Sequence, residues 1–376
     1  MKKLTGILVL LATLLGLSAT ASAAYESVEL SLEAAPASGP LYREVYRPVA
    51  ASLDIRVSVP FETPKVTQLK VSNVTFPPEM DFFPNPKLTP ACPKSKIGPS
   101  TNLGLGIIAT VDLCPKSVVG TGTSAIHPAG LSNALIDDAR LVIFNAGRTA
   151  RGRPKLTIYG YSKAAGTGVL MNGVLASDGQ LKILLGILPY ASSVSEFTMG
   201  IPGDPLEVED SQSSGGTRTI KGLDPGFLRA RCTDGTWHAT GQFVFGDRDG
   251  ATGQPIGEET QVASNPFDLE CSGLTGKPRV AISKISGPRS MKAGSKGVFV
   301  LKLANNGTSS AKSMKINVTG GAKGAVTIDK FAPGTIRSVK VPVKAATRPS
   351  RNSKVKVRVS AARMKPVSGT TRVRIG

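Results

Sequence analysis

The chain of 376 residues carries 46 Lys and Arg against 26 Asp and Glu, a net charge of +20, and is rich in Gly (41) and Pro (27). Aromatics make up only 5% with a single Trp, so a sugar-stacking groove is poorly supplied, and two histidines confine any His-based triad to His127 or His238. Few stretches place apolar residues at helical spacing, which points away from a helical fold.

Residues 1–23, MKKLTGILVLLATLLGLSATASA, combine Lys2 and Lys3, a short apolar run and a small-x-small end at Ala21-Ser22-Ala23. That pattern is an export signal, too short and wrongly flanked for a membrane span. No cysteine follows for lipid attachment and no second run of about 20 apolar residues follows as an anchor. The expected product is exported into an oxidising compartment, extracellular or in the cell envelope.

From residue 25 short apolar or alternating runs are separated by Gly, Pro, Asn and Asp, the pattern of strands and turns. Strands are expected at 27–33, 53–60, 68–76, 105–112, 118–127, 139–147, 154–162, 167–176, 180–189, 196–201, 227–232 and 238–245. Asp178-Gly179 marks a hairpin, although LKILLGIL within 180–189 also suits a short buried helix. The polar stretch 207–219 reads as a long loop. Spacings of about ten residues predict a jelly-roll-like β-sandwich over 24–275.

After SGLTGKPR (272–279) the composition changes. Residues 277–376 hold 23 Lys and Arg and one acid, Asp329, for a net +22, which leaves −2 on the first 276 residues. Seven strands are expected, at 280–286, 297–307, 313–320, 325–331, 336–345, 353–361 and 370–376, the number of an immunoglobulin-like sandwich. In Lys354-Val355-Lys356-Val357-Arg358-Val359 the period of two sends valines to the core and cations to solvent. The fold class expected is all-β: a disulfide-containing β-sandwich followed by an immunoglobulin-like β-sandwich.

LANNGTSSAKSMKINVTG followed by FAPGTIRSVKVPVKA, with its Asn-x-Gly and Pro-Gly turns, resembles bacterial CARDB-type and galactosidase-associated immunoglobulin-like surface modules. The resemblance covers about the last hundred residues. It implies an accessory module without catalytic residues. VTFPPEMDFFPNP with CPKSVVGTG more loosely resembles secreted β-sandwich proteins of actinobacteria that have no assigned role.

The phrase CPKSKIGPS (92–100) returns as CPKSVVGTG (114–122). A redox turn needs its cysteine at a helix N-terminus, and Ile97-Gly98-Pro99 and Val118-Val119-Gly120 disfavour one there. The spacing is not that of a zinc site. Four cysteines allow three pairings. The sequential one, Cys92 with Cys114 and Cys232 with Cys271, closes the shortest loops and is expected, with the Cα atoms of Cys92 and Cys114 within about 7 Å.

Asp137-Asp138, Glu207-Glu209-Asp210 and Glu258-Glu259 are the carboxylate pairs a glycosidase would draw on, but all sit in turn or loop contexts. Thr233-Asp234-Gly235-Thr236-Trp237 reads as a hairpin turn rather than a sialidase repeat. GDRDGATGQPIGEE (246–259) lacks the order of a calcium loop. Both histidines read as surface or strand-packing residues. No cofactor or metal is expected.

The basic module is the strongest functional signal. Like charges opposite one another on neighbouring strands repel, so nearby anions would relieve the module. The candidate anion-binding residues are Arg337, Lys340, Lys344, Lys354, Lys356, Arg358, Arg372 and Arg374. The partners they imply are anionic wall or extracellular polymers held non-specifically, since no groove-reading helix or stacking platform suggests specific nucleic-acid recognition. A solvated face that discourages edge-to-edge aggregation accounts for the same charges. The function expected is non-catalytic binding or structure in the envelope; the rival is a secreted hydrolase of polysaccharide with the module as accessory.

Overall fold

The computed structural model describes residues 26–58, 68–127, 135–176, 179–185, 193–210, 216–249 and 255–376. The export signal at 1–23, Asp178 of the expected hairpin and the end of the 180–189 run lie outside them. The fold is all-β, a disulfide-bonded β-sandwich followed by an immunoglobulin-like β-sandwich.

In the first unit one sheet runs from Pro255–Ala263 through Thr236–Arg248, Leu69–Thr75, Gln180–Leu184, Thr167–Leu175, Pro154–Ser162, Ile136–Arg148, Val118–His127, Ser193–Ile201, Arg47–Ser58 and Leu228–Ala230 to Met80–Phe82. Ser27–Pro36 pairs alongside Arg47–Ser58, and Phe267–Glu270 alongside Thr236–Arg248. Ser27–Pro36 also lies against Phe267–Glu270 and Thr236–Arg248, so the sheet curls back on itself around its main core.

Alternation drives the curl. Val28, Leu30 and Leu32 point inward opposite Val57, Ile55 and Leu53, while Glu29 and Glu33 point out. Each buried Leu, Ile or Val contributes about 1.5–3 kcal/mol relative to exposure, so a one-residue slip, which exposes the whole set, is disfavoured.

Ile136–Arg148 does not alternate because both its faces are buried. Leu141 and Ile143 join the main core, whereas Val142 and Phe144 join a second cluster on the sheet's outer side with Tyr159, Ile107, Val111, Leu206 and Ile220. Two elements cover that outer face, and both differ from the sequence expectation. Residues 105–112 are not a strand: Gly106–Leu113 is an α-helix, reached through a 3-10 turn at Leu103–Leu105. Its β-branched residues suggested a strand, but Ile107, Thr110 and Val111 lie at i, i+3 and i+4 and bury one helical face against the sheet, a tertiary demand that overrides propensity. The expected loop at 207–219 is instead a hairpin whose strands, Leu206–Asp210 and Gly216–Ile220, pair Leu206 with Ile220 over the same cluster. Its polar outer positions hid the two apolar anchors at its ends.

The second unit orders its strands Val280–Ser286, Lys296–Asn305, Ile336–Ala345, Ala322–Phe331, Ala311–Gly320, Ser350–Ser360, Val367–Ile375 and Ser290–Met291. Ala322–Phe331 pairs with Ile336–Ala345 only through Ala322 and Lys323, then follows Ala311–Gly320 along most of its length. It therefore crosses from one layer to the other. Phe299, Leu301, Val339 and Val341 from one layer meet Ile316, Val318, Val355, Val357 and Val359 from the other in a core separate from those of the first unit. Glu44 of the first unit accepts hydrogen bonds from the Ser310 backbone N–H, at 2.9 Å, and from the Ser310 hydroxyl. Leu274 pairs in parallel with Tyr42 at the same junction.

Candidate anion-binding surface

In Ser350–Ser360 the valines 355, 357 and 359 are fully buried while Lys354, Lys356 and Arg358 are exposed, as the alternation predicts. The adjacent strand places Arg372 directly opposite Lys354. Ile336–Ala345 likewise buries Val339, Val341 and Val343 and exposes Lys340 and Lys344. These two strands belong to different layers, so their outward cations point away from each other across the core. The eight candidate residues do not form one patch. Lys354, Lys356, Arg358, Arg372 and Arg374 share one outer face, Arg374 at its edge opposite Ser290; Lys340 and Lys344 share the other; Arg337 sits at a strand start.

Like-charge pairing is pronounced. Lys296, Lys344 and Lys323 stand abreast on three neighbouring strands, and Lys312 faces Lys330. Among the described residues, none of the second unit's cations forms an ion pair, and the only acid there is Asp329. Opposed cations on exposed strands destabilise by up to about 1 kcal/mol per pair, a cost that a bound polyanion would offset.

The repeated CPKS phrase is a pair of turns. Cys92 and Cys114 are bonded with Cα atoms 5.7 Å apart, and Cys232 and Cys271 with Cα atoms 5.9 Å apart. Cys114 follows the C-terminal end of the helix Gly106–Leu113, not its N-terminus. The two glycines of the phrase have different tasks: a Cβ on Gly98 would lie 2.2 Å from the Lys94 carbonyl inside the turn, and one on Gly120 would lie 2.2 Å from the Gly200 carbonyl of the neighbouring strand. The Cys92–Cys114 bridge fastens the 92–101 turn to the helix that covers the outer cluster. Replacing both cysteines by alanine is expected to cost about 2–4 kcal/mol in urea unfolding, mainly through the freed unfolded chain. An unchanged midpoint would contradict that role.

His238 pairs with Asp268 across two strands, Nδ1 to Oδ1 at 2.6 Å, both side chains well exposed. The hydrogen bond to Asp268, reinforced by its charge, raises the imidazole pKa above its ordinary value. Because the folded pKa is the higher, the pair stabilises the fold at low pH and its contribution fades as pH rises through the folded pKa. NMR titration should place His238 above the ordinary value of about 6.5, and Asp268→Asn should bring it down; a midpoint unmoved by that substitution would contradict the pairing. Among the described residues, no hydroxyl is bonded to the other ring nitrogen.

The carboxylate candidates do not converge. Burial pushes the Asp138 carboxyl up, but hydrogen bonds from the Ser162 hydroxyl at 2.5 Å and the Ala164 and Lys163 N–H groups, with Arg140 nearby, outweigh it and hold the carboxyl below its ordinary range. Glu207 accepts from the Thr219 hydroxyl at 2.7 Å, and Lys163 pairs with Glu209 at 2.8 Å and holds it low. Glu259 neutralises the buried Lys70 at 3.1 Å. A different pair, missed in the sequence because 171 positions part its members, lies at a cleft of about 640 Å³: Glu33 and Asp204, with Ser52, Thr121, Thr123, Thr198 and small residues around them. Register explains the floor, since Glu33, Ser52, Gly200 and Thr121 fall in one row across four strands.

Also unforeseen is an arginine-aromatic stack at the sheet's short edge. The Arg229 guanidinium lies 3.5 Å from the Phe83 ring centroid and bonds Asp81 at 2.8 Å, and Arg231 lies over Tyr46. It secures the three-residue strands Leu228–Ala230 and Met80–Phe82, worth about 0.5–2 kcal/mol per contact.

Among the described residues, no helix is long and apolar enough to cross a membrane. No protein-family model matches the chain, and no curated protein matches it. Among solved structures it is similar to the three-domain T6 backbone pilin of serotype M6 Streptococcus pyogenes, at 6% identity and a TM-score of 0.22, covering 92% of this chain and 52% of that one. The chain thus spans about half the length of the pilin. The fold described above rests on the chain's own pairing and burial.

Proposed function

We propose that this is an exported, non-catalytic binding and structural protein of the envelope or extracellular space, held to anionic polymers by the outward cations of its C-terminal sandwich. One observation carries the reading: a hundred-residue module displays rows of exposed Lys and Arg with no acidic partners. Two disulfides suit an oxidising compartment. The Asn-x-Gly and Pro-Gly turns fit a CARDB-like surface module, a likeness that supports an accessory role. Replacing all eight candidate cations by glutamine in the full chain should abolish retention on purified anionic wall polymer at low salt; undiminished retention would defeat the reading.

The Glu33 and Asp204 cleft favours a second reading, a polysaccharide hydrolase with the cationic module as accessory. It requires turnover of a wall or extracellular polysaccharide that Glu33→Gln and Asp204→Asn each remove.

A further inference from the structure

The two outer faces of the cationic sandwich carry different chemistry. On the layer of Val280–Ser286, Lys296–Asn305 and Ile336–Ala345, the exposed lysines are interrupted by bare apolar surface. Val298, 46% exposed, stands opposite Pro342, and Ile336 is 66% exposed at the strand start. On the opposite layer, formed by Ala311–Gly320, Ser350–Ser360 and Val367–Ile375, no large apolar side chain is exposed.

That second face is built from cations with hydroxyls and one amide between them. Arg358 lies between Asn317 and Ser368, Lys356 between Thr319 and Thr370, Lys354 beside Arg372, and Lys315 beside Ser360. Along Ser350–Ser360 the cations recur every second residue, about 6.8 Å apart at the rise of an antiparallel strand. A neighbouring strand adds Arg372 in the same row as Lys354. The sole acid, Asp329, is on Ala322–Phe331, four residues beyond Ala325, the position level with Asn317 and Arg358.

We propose that this second face is the polymer-contacting surface, and that its ligand is a polyol-phosphate chain: phosphates against the spaced cations, polyol hydroxyls against Asn317, Thr319, Ser368 and Thr370. The inference rests on the attachment proposed above. Charge complementarity alone would also admit single-stranded nucleic acid, but binding of that kind draws on aromatic side chains that stack the bases. The second unit's aromatics are Phe299 and Phe331, both buried in its core. A polyol has no bases to stack and needs hydrogen-bonding groups between its phosphates, which this face supplies.

The test measures affinity of the full chain at low salt for immobilised poly(glycerol phosphate) and for a single-stranded oligodeoxynucleotide with the same number of phosphates. K354Q/K356Q/R358Q should weaken binding to poly(glycerol phosphate) at least about tenfold, while K284Q/K296Q/K302Q, with the same loss of charge on the other face, should weaken it less than about threefold. All six side chains are exposed, and thermal melting checks that both variants fold; K354R/K356R/R358K, which keeps the charges, should retain binding. The oligonucleotide should bind more weakly than poly(glycerol phosphate). Equal losses from the two triple variants would overturn the choice of face, and an oligonucleotide bound as tightly would overturn the choice of polymer. Absence of binding by the unaltered chain to either polyanion at low salt would instead defeat the attachment reading itself.

Discussion

Trp237→Ala should cost about 3–5 kcal/mol of unfolding free energy, the range for deleting a large buried aromatic, and lower the first unit's melting temperature by about 10 °C. Trp237 is 1% exposed in the main core, and its indole N–H donates to the Arg231 carbonyl at 2.9 Å. The substitution removes both the packed ring and that donor, and it acts beside the Cys232–Cys271 bridge, which joins the same two strand ends. Trp237→Phe, which retains most of the apolar volume, should lose less than half as much. Urea unfolding followed by circular dichroism measures both; a loss below about 1 kcal/mol for the alanine variant is outside the range for a core aromatic and would contradict this packing.

Asn305→Ala should destabilise the second unit by about 2–4 kcal/mol, because a fully buried amide there satisfies four backbone groups. Its Nδ2 donates to the carbonyls of Ser309 and Phe331, both at 2.9 Å, and its Oδ1 accepts from the N–H groups of Gly307 at 3.0 Å and Arg279 at 3.1 Å. Its own carbonyl accepts from Gly334. The Asn-x-Gly turn and the Pro-Gly turn, separate landmarks in the sequence, are thus joined through one residue, its side chain holding Gly307 and its backbone carbonyl holding Gly334. Asn305→Asp, which lacks the two amide donors and sets a carboxylate against two carbonyls, should be at least as damaging. A melting temperature within experimental error of the parent in the alanine variant would sink the argument.

The strand rhythm of the second unit was legible because its strands alternate cleanly: Val355, Val357 and Val359 inward, Lys354, Lys356 and Arg358 outward. Period two says which side of a sheet a residue occupies, but it does not say which of two layers the strand joins. That is why the eight candidate cations read as one surface and divide into two. The disulfides were legible from loop length. The helix Gly106–Leu113 was not, since Ile, Val and Thr signal strands locally and only the apolar cluster beneath selects the helical face. The cleft sets Glu33 through a four-strand register and Asp204 through the connection after Ser193–Ile201, held by the Thr121 hydroxyl, and no local pattern encodes either. Asp268 follows His238 by thirty positions and meets it through strand pairing alone.

Attachment through charge is the claim on which the functional account stands, and retention of the full chain on purified anionic wall polymer across a salt gradient tests it directly. Exposed charges are screened over about 10 Å at 0.1 M salt and about 3 Å at 1 M. The account predicts firm retention at low salt that declines steadily as ionic strength rises. Retention indifferent to salt, or absent even at the lowest salt, would contradict it.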